Sequence, residues 1–272
     1  MKERFKIGVI ISTYNSPQWL EKTLWGYENQ TIMPDEIIIA DDGSKEETRK
    51  LVETFTSKLP IKYVWHEDQG FQKSRILNKA ILLSTSDYLI FTDQDCIPRN
   101  DFVETHIKYA QKGYFLSGGY NKLPMDISLS ITKKDICSGN AFKISWLREN
   151  GVKFNFKFSK LINVPWFSKF MNFITPRKAT WNGCNSSGWK KDIIEVNGFN
   201  EDMQYSGQDR EMGERMFNLG IKSKQICYSA ICLHLDHKRP YKTKKSIDKN
   251  IAIRKNTRKN KIIKTPNGIS KL

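Results

Sequence analysis

The sequence predicts an α/β fold with a mostly parallel β-sheet covered by helices on both faces. Over residues 6–95, four apolar, β-branched stretches alternate with stretches of helical periodicity. The four strand candidates are apolar almost throughout rather than at every second residue, which is typical of parallel strands buried on both faces. A Rossmann-like doubly wound sheet is the architecture that fits both observations.

Each element has a local signal. The first strand is the run KIGVIIS, and the proline after it opens a helix, because proline is favoured at the first helical position. The runs EIIIA, IKYVW and YLIF predict the next three strands, and the segments between them place apolar residues at helical spacing. The predicted strands are 6–12, 35–44, 61–66 and 87–95, and the predicted helices are 17–30, 45–58 and 72–84.

Polar sequences follow three of these strands: STYN, DDGS and TDQD. Ligands of open parallel sheets bind outside the carboxyl ends of the strands, so we expect these three segments to meet at one site. The first β-α unit has neither a G-x-G-x-x-G nor a G-x-x-x-x-G-K motif. A metal ion would then have to bind phosphate groups in place of a glycine-rich loop.

Asp93 and Asp95 are two residues apart at the end of the fourth strand. In an extended strand such residues point the same way, so both carboxylates could bind one cation, and carboxylates favour Mg²⁺ or Mn²⁺. An acidic turn or helix cap is the alternative, but the position after a buried strand favours the metal site. Asp42, at the end of the second strand, could accept hydrogen bonds from a base or ribose.

The second half of the chain differs in composition. Residues 153–178 carry seven aromatic residues and six basic ones with no acid, and the stretch could meet a membrane interface or cover an acceptor pocket. From residue 238 to 272 there are thirteen Lys or Arg and one acid, which supplies most of the net charge of +16. We expect this basic tail to contact an anionic membrane surface, with a merely solubilising role as the alternative. No nucleic-acid partner is expected, because no recognition motif accompanies the charge.

The five cysteines are odd in number and form no C-x-x-C pair, which predicts neither a zinc site nor a disulfide framework. No apolar stretch is long enough for a signal peptide or a membrane span. We therefore expect a cytoplasmic protein, which could also be peripheral on the inner face of the cell membrane.

The segments VIISTYNSPQWLEKTL, EIIIADDGSKEET and YLIFTDQDCIPRNDFV together resemble the nucleotide-sugar-binding half of a family 2 glycosyltransferase with the GT-A fold. The later segment from GCNSSGW to RMFNLG resembles the acceptor side of β-1,4-galactosyltransferases and of bacterial chondroitin and hyaluronan polymerases. The resemblance implies a nucleotide-sugar-binding half over residues 1–120, an acceptor-binding and catalytic half of the same domain over 121–237, and a basic tail over 238–272.

The resemblance also assigns roles to residues of the donor side. Family members often have arginine directly before the asparagine of the third helix, whereas here Leu77 precedes Asn78 and the arginine is Arg75. The residues implied in nucleotide-sugar binding are Ser12, Tyr14, Asp42, Gln69, Gly70, Phe71, Asn78 and Asp93.

On the acceptor side, Asp209 in SGQDRE matches the family's catalytic base, and Gln208 stands where the family usually has glutamate. The alternative is that Asp209 is only an acid in the first turn of a helix. The implied acceptor-binding residues are Trp181, Asn185 and Gln208. The implied ligands of Mn²⁺ or Mg²⁺ are Asp95, Asp93 and His234, with His237 as the alternative histidine.

The expected activity is inverting transfer of a sugar from a UDP-sugar to a hydroxyl of a glycan or lipid-linked acceptor, in synthesis of a surface polysaccharide or lipooligosaccharide. The alternative is a weakly active nucleotide-sugar-binding component of a membrane-associated assembly complex. A nucleotidyltransferase fits less well, because its first loop would be rich in glycine and basic residues.

Overall fold

The predicted alternation of strands and helices is present in the computed structural model of the protein, which describes residues 5–153, 155–176, 179–238 and 243–272. The strands are β1 Ile7–Thr13, β2 Glu36–Asp41, β3 Ile61–Trp65, β4 Tyr88–Asp93, β5 Cys96–Pro98, β6 Tyr114–Ser117, β7 Gly119–Lys122, β8 Ser186–Trp189, β9 Lys222–Gln225 and β10 Ile231–His234. The α-helices are α1 Pro17–Glu28, α2 Glu46–Phe55, α3 Lys73–Leu83, α4 Phe102–Tyr109, α5 Met125–Ser130, α6 Lys133–Cys137, α7 Ile144–Glu149, α8 Pro165–Ile174, α9 Lys190–Glu195, α10 Gln208–Asn218 and α11 Lys244–Lys259. Three 3₁₀-helices cover Asn140–Phe142, Phe156–Leu161 and Ile269–Lys271.

The main sheet has the strand order β3-β2-β1-β4-β8-β6-β9. The first four strands are parallel, as predicted, and β8 is inserted antiparallel between β4 and β6. The register pairs Ser12 with Asp93 and Thr13 with Asp41, which brings the polar strand ends to one edge. A small second sheet, β5-β10-β7, places His234 at the end of β10 near that edge.

Apolar cores cover both faces of the main sheet. Alternate residues of β1 and β2 belong to different cores: Val9 and Ile37 pack on one face, and Ile10 and Ile38 pack on the other. The burial of both faces explains why the strand sequences are apolar at nearly every position.

The basic segment after residue 238, which the sequence predicts as a tail, contains regular secondary structure in its described part. Its described part, residues 243–272, contains α11, which packs beside α10 through polar contacts. The Asn250 amide donates to three backbone carbonyls of residues 204–206, and Arg254 forms an ion pair with Glu214 at 2.6 Å. The Thr257 hydroxyl donates to Glu211 at 3.0 Å. Because this packing relies on hydrogen bonds and ion pairs, it leaves little apolar periodicity in the sequence.

The aromatic stretch from residue 153 forms the 3₁₀-helix Phe156–Leu161 and α8. Phe154, Arg177 and Lys178, which belong to the predicted stretch, lie outside the described residues. Across the described parts of the chain, no helix has both the length and the apolar character to cross a membrane.

Candidate active site

The polar strand ends form one wall of a cleft of roughly 970 Å³. The end of β1, the turn after β4 and the start of α10 all reach this cleft, and the segment after β10 closes another side. The predicted site residues that line it are Ser12, Tyr14, Asp42, Gly70, Phe71, Asp93, Asp95, Gln208, Asp209, His234 and His237.

On the donor side of the cleft, short hydrogen bonds fix the positions of the polar groups. Ser12 Oγ donates to Asp93 Oδ1 at 2.7 Å, and the Tyr14 hydroxyl donates to Asp68 at 2.8 Å. Asp42 accepts from the backbone N–H of Gln72 at 3.0 Å and lies 2.7 Å from His66 Nε2. Burial raises the pKa of Asp42, and the neighbouring His66 opposes this shift.

Gln94 connects the end of β4 to the loop after β1. Its backbone N–H donates to Ser12 O at 2.9 Å, and its side-chain Oε1 accepts from the backbone N–H of Tyr14 at 2.9 Å. The Gln94 amide donates in return to Tyr14 O at 3.2 Å. Since β4 ends at Asp93, Gln94 and Asp95 belong to a turn, and the side-chain alternation of the strand does not continue through them.

Each carboxylate of the D-x-D sequence has its own cationic neighbour, which differs from the expectation of one shared cation. Lys73 Nζ donates to Asp93 Oδ1 at 2.6 Å. Burial would lower the pKa of Lys73, but the negative charges of Asp93, Asp209 and Asp95 raise it above its ordinary value. Lys73 is therefore a fully charged ammonium group in the middle of an acidic cleft.

Asp95 faces two histidines. His237 Nε2 lies 2.9 Å from Asp95 Oδ2, and His234 Nδ1 lies 3.8 Å from the same oxygen. Within the described residues, these three side chains can offer ligand atoms that all lie within 4.8 Å of one another. Burial alone would raise the pKa of Asp95, but the hydrogen bond from His237 and the charges of both histidines hold it below its ordinary value. Asp93 is not part of this group.

The metal-binding prediction fits this group of residues. In both histidines Nδ1 lies within 2.9 Å of a backbone carbonyl oxygen, that of Leu235 or Lys238. A histidine held in this way through Nδ1 can bind a metal through Nε2, as is usual for metal-binding histidines, and in His237 the metal would replace the Nε2 proton that bonds to Asp95. A set of one carboxylate and two imidazoles suits Mn²⁺ better than Mg²⁺, which prefers oxygen ligands.

Asp209 is the first acid of α10 and lines the cleft. Its Oδ1 is buried and has no hydrogen-bond partner among the described residues. Burial raises the pKa of Asp209 to about 6; the charge of Asp93 adds to this shift, and Lys73 opposes it. A carboxylate with an unused oxygen and a raised pKa is suited to accept a proton.

Gly183 provides the space that Asp209 occupies. A Cβ atom at residue 183 would lie 2.6–2.7 Å from all three atoms of the Asp209 carboxylate. We expect Gly183→Ala to displace this carboxylate and to lower the rate of a reaction that uses it as a base by about 10- to 100-fold, because misplacement of a reacting group by about 1 Å is that costly. Steady-state kinetics would test this. Gly188→Ala is the control, since its added methyl group would meet the Trp181 ring at 3.2 Å.

Four predicted site residues do not line the cleft: Asn78, Asn185, Trp181 and Gln69. Asn78 is buried, and its amide atoms bond to Phe199 N, Phe199 O and Glu201 Oε1 at 2.7–2.9 Å. Asn185 is also buried and donates to the carbonyls of Gly119 and Ala230. These amide groups stabilise the fold and have no atom left for a substrate.

Trp181 is the third of these residues. Its fully buried ring packs against Phe91 and Phe115, with centroid distances of 5.4 and 5.5 Å. Gly213 makes room for it, because a Cβ there would lie 2.8 Å from the Trp181 Cβ. The neighbouring Asn182 and Gly183 line the cleft instead.

Gln69 and Arg75 lie beside the site without lining it. Gln69 Oε1 accepts from the Gln72 side chain at 3.2 Å, and Arg75 faces Glu201 at 3.9 Å. Lys73, which the sequence analysis missed, is the basic residue of α3 that reaches the cleft. A signal for it was present: Lys73 is the first residue of a helix that follows a glycine-containing loop, and such a helix start points towards the ligand edge of the sheet.

Comparison with known proteins agrees with this fold. Residues 8–174 match the model of the glycosyl transferase family 2. Hyaluronan synthase of Pasteurella multocida is 34% identical over 102 residues, which are 37% of this chain and 10% of that protein. Chondroitin synthase of Escherichia coli is 36% identical over 103 residues, 38% of this chain and 15% of that protein. The matched stretch thus spans only a small part of these relatives.

Two solved structures share the fold at low sequence identity. The mannosyltransferase PcManGT from Pyrobaculum calidifontis, in complex with GDP-Man and Mn²⁺, has a TM-score of 0.58 at 18% identity and covers 88% of this chain and 59% of that chain. TarS 1-349 of S. aureus, in complex with UDP-GlcNAc, has a TM-score of 0.59 at 15% identity and covers 87% of this chain and 60% of that chain. The chain is therefore a member of glycosyl transferase family 2 and has the GT-A fold.

Proposed function

We propose that this glycosyltransferase is metal-dependent and inverting, and that it moves a sugar from a UDP-sugar to a hydroxyl of a glycan or lipid-linked acceptor. The observation that carries the proposal is that one cleft contains a carboxylate with an unpaired, buried oxygen, the charged ammonium group of Lys73 and a carboxylate-histidine cluster. The proposed setting is synthesis of a bacterial-type surface polysaccharide or lipooligosaccharide in the cytoplasm, at the inner face of the membrane.

Asp95, His237 and His234 are the proposed metal ligands. His237 comes before His234, because its Nε2 lies 2.9 Å from Asp95 Oδ2, whereas His234 Nδ1 lies 3.8 Å from the same oxygen. When bound, Mn²⁺ or Mg²⁺ supplies charge stabilisation for the diphosphate leaving group. Asp93, which bonds to Ser12 and Lys73, is proposed to contact the ribose or to assist the metal site.

The donor would lie along the ends of β1, β2 and β4. Tyr14 and Asp42 are proposed to contact the uridine, with Gly70 and Phe71 at the border of the donor site. Lys73 is proposed to contact the diphosphate, because its charged ammonium group is the cation nearest to Asp93 in the cleft.

Asp209 is proposed to take the proton from the acceptor hydroxyl. The hydroxyl oxygen then forms a bond to the anomeric carbon while the bond from that carbon to the diphosphate oxygen breaks, and UDP leaves with the bonding electron pair. Cys184 also lines the cleft, but its hydrogen bond with Cys96 and its burial raise the thiol pKa well above the ordinary value, so it is no competing nucleophile. One base and a single displacement give inversion. Gln208 would contact the acceptor.

The structural neighbours support the donor class, since one was solved with UDP-GlcNAc and another with GDP-Man and Mn²⁺. The alternative of a weakly active binding component is not favoured. A binding protein would have no need of a buried, unpaired Asp209 beside the donor site.

A panel of UDP-sugars tests the proposal through UDP release in the presence of Mn²⁺, and removal of the metal by a chelator should abolish it. We expect Asp95→Ala to lower the rate at a fixed subsaturating Mn²⁺ concentration by about 10- to 100-fold, because loss of a ligand weakens metal binding. Raising Mn²⁺ should restore part of the activity.

Asp101→Ala is the matched control, because Asp101 forms an ion pair with Arg99 at 2.6 Å outside the cleft. Turnover by wild-type protein that is insensitive to chelation would contradict the metal dependence. Absence of turnover with every UDP-sugar and GDP-sugar would contradict the proposed activity.

A further inference from the structure

Helix α8 carries an aromatic stripe on its solvent side. We define the stripe as Trp166, Phe170 and Phe173, whose exposed fractions are 72%, 53% and 88%. The spacing of four and three residues places the three rings on one face of the helix. Large aromatic side chains that lie together in water are a feature of interaction surfaces.

The opposite face of α8 fixes the helix to the domain. The Asn172 amide donates to Ser229 Oγ at 2.9 Å and its Oδ1 accepts from the backbone N–H of Tyr228 at 2.9 Å. The Phe167 ring lies against the Tyr228 ring at 6.5 Å. Because these contacts fix the orientation of α8 on the domain, they also fix the stripe on the side of the helix that faces solvent.

The segment that carries the stripe has only positive charges. Residues 153–176 contain no Asp or Glu, and they contain the lysines 153, 157, 160 and 169. Lys169 is exposed and lies three residues after Trp166, on the same side of α8. An aromatic face bordered by lysines matches the composition of helices that lie in the interface of anionic bilayers.

The stripe belongs to a segment that reaches the cleft wall. Lys160, in the preceding 3₁₀-helix, has its Nζ 5.9 Å from the centre of the Tyr120 ring, and Tyr120 lines the cleft. The segment that carries the stripe therefore begins next to a residue of the cleft wall.

We propose that the aromatic stripe of α8 docks the protein on an anionic phospholipid bilayer, with the three rings in the headgroup region and the lysines on lipid phosphates. A second copy of this chain and a different protein partner both fit the positive charge less well. A second copy of the chain would bring the same lysines against each other across a two-fold axis. Protein interfaces are depleted of lysine in their cores. Membrane docking goes beyond the proposed reaction, and its test does not depend on that reaction.

Sedimentation of the full chain with vesicles tests the docking. We expect binding to vesicles that contain phosphatidylglycerol and weaker binding to vesicles of phosphatidylcholine alone, with a decrease at high salt. The triple variant Trp166→Ser/Phe170→Ser/Phe173→Ser should lower the partition coefficient by roughly tenfold or more. The triple variant Leu82→Ser/Leu83→Ser/Leu129→Ser is the control, since these three leucines are 41–58% exposed elsewhere on the surface.

UDP release by the stripe variant should equal that of the wild type, which would show that its fold is intact; far-UV circular dichroism provides the same check if no donor is turned over. Equal vesicle binding by the wild type and the stripe variant would overturn the proposal. Absence of binding to any phosphatidylglycerol vesicle would also overturn it. A dimer in light scattering that the stripe variant loses would assign the surface to a second copy instead.

Discussion

Replacement of Asp209 by asparagine should lower the rate of sugar transfer by about 10²- to 10⁴-fold, the usual contribution of a general base. Asparagine keeps the shape of the side chain but cannot take a proton from the acceptor hydroxyl. Donor binding should change much less than the rate, because the asparagine variant keeps Lys73 and Asp93 in the cleft. Initial rates and the affinity for the UDP-sugar, measured on the same variant, check both expectations.

The acid limb of the pH profile offers an independent check. Since the base must be ionised and the pKa of Asp209 is raised to about 6, wild-type kcat/KM should fall as the pH drops through about 6. The asparagine variant should lack this limb. A limb near pH 4 would indicate a base with an ordinary carboxyl pKa and would contradict the assignment of Asp209.

The thermal stability of the Asp209→Asn variant distinguishes the loss of the catalytic group from a loss of folding. A raised pKa means that folded Asp209 holds its proton more tightly than unfolded Asp209, so its contribution to stability is lost as the pH rises from about 4 towards 6. The neutral Asp209→Asn variant should therefore have a Tm at pH 8 equal to or above that of the wild type. Asp192→Asn is the matched control: burial raises the pKa of Asp192 too, but it lies outside the cleft.

Replacement of Lys73 by methionine should raise the KM for the UDP-sugar by about 10- to 100-fold, which is the value of a hydrogen bond to a charged group. Methionine fills a similar volume but removes the ammonium group that bonds to Asp93 at 2.6 Å. The carboxylates of Asp93 and Asp209 would then lose their common cation, and the free energy of unfolding should decrease by roughly 1–2 kcal/mol. Kinetics at several donor concentrations and urea unfolding would measure the two effects.

Arg75→Met is the matched control for Lys73, because both residues are basic and lie in the first turn of α3, while Arg75 points to Glu201 outside the cleft. Lys73→Arg should recover part of the donor affinity, since it keeps the charge. If Arg75→Met raised KM more than Lys73→Met did, the diphosphate contact would belong to Arg75.

The strands and the sheet edge where the polar segments meet could be predicted because they depend on local pattern and on motif order, whereas the metal-binding roles of His234 and His237 stay a prediction. Side-chain direction depends on tertiary packing, and this is where the predictions for Asn185 and Trp181 went wrong. Both lie next to residues that do line the cleft, yet Asn185 turns inward to the carbonyls of Gly119 and Ala230. The periodicity of a single sequence does not show which of two adjacent residues points into the cleft.

The side-chain direction of Asp95 was also not predictable from the local sequence pattern. The expected pairing of Asp93 with Asp95 assumed that the strand continues through both. The strand ends at Asp93, and the Gln94 side chain bonds to the loop after β1, so Asp95 turns towards β10 and the histidines. Lys73 was not predicted for a related reason. Its position at the start of α3 indicates the ligand edge of the sheet, but only the tertiary packing shows that its side chain lies against Asp93.

The insertion of β8 between β4 and β6 limits how members of this family could exchange parts. The strand comes from residues 121–237, yet it lies in the same sheet as β1 to β4 of residues 1–120. Asn78 adds a second link, since it bonds to Phe199, which is 121 positions further along the chain. In a chimera joined near residue 120, β8 would pair with strands of a different protein, and Asn78 would face a different partner for its hydrogen bond. Recombination that alters donor choice would succeed more readily at the cleft-lining loops than at the boundary between the two halves.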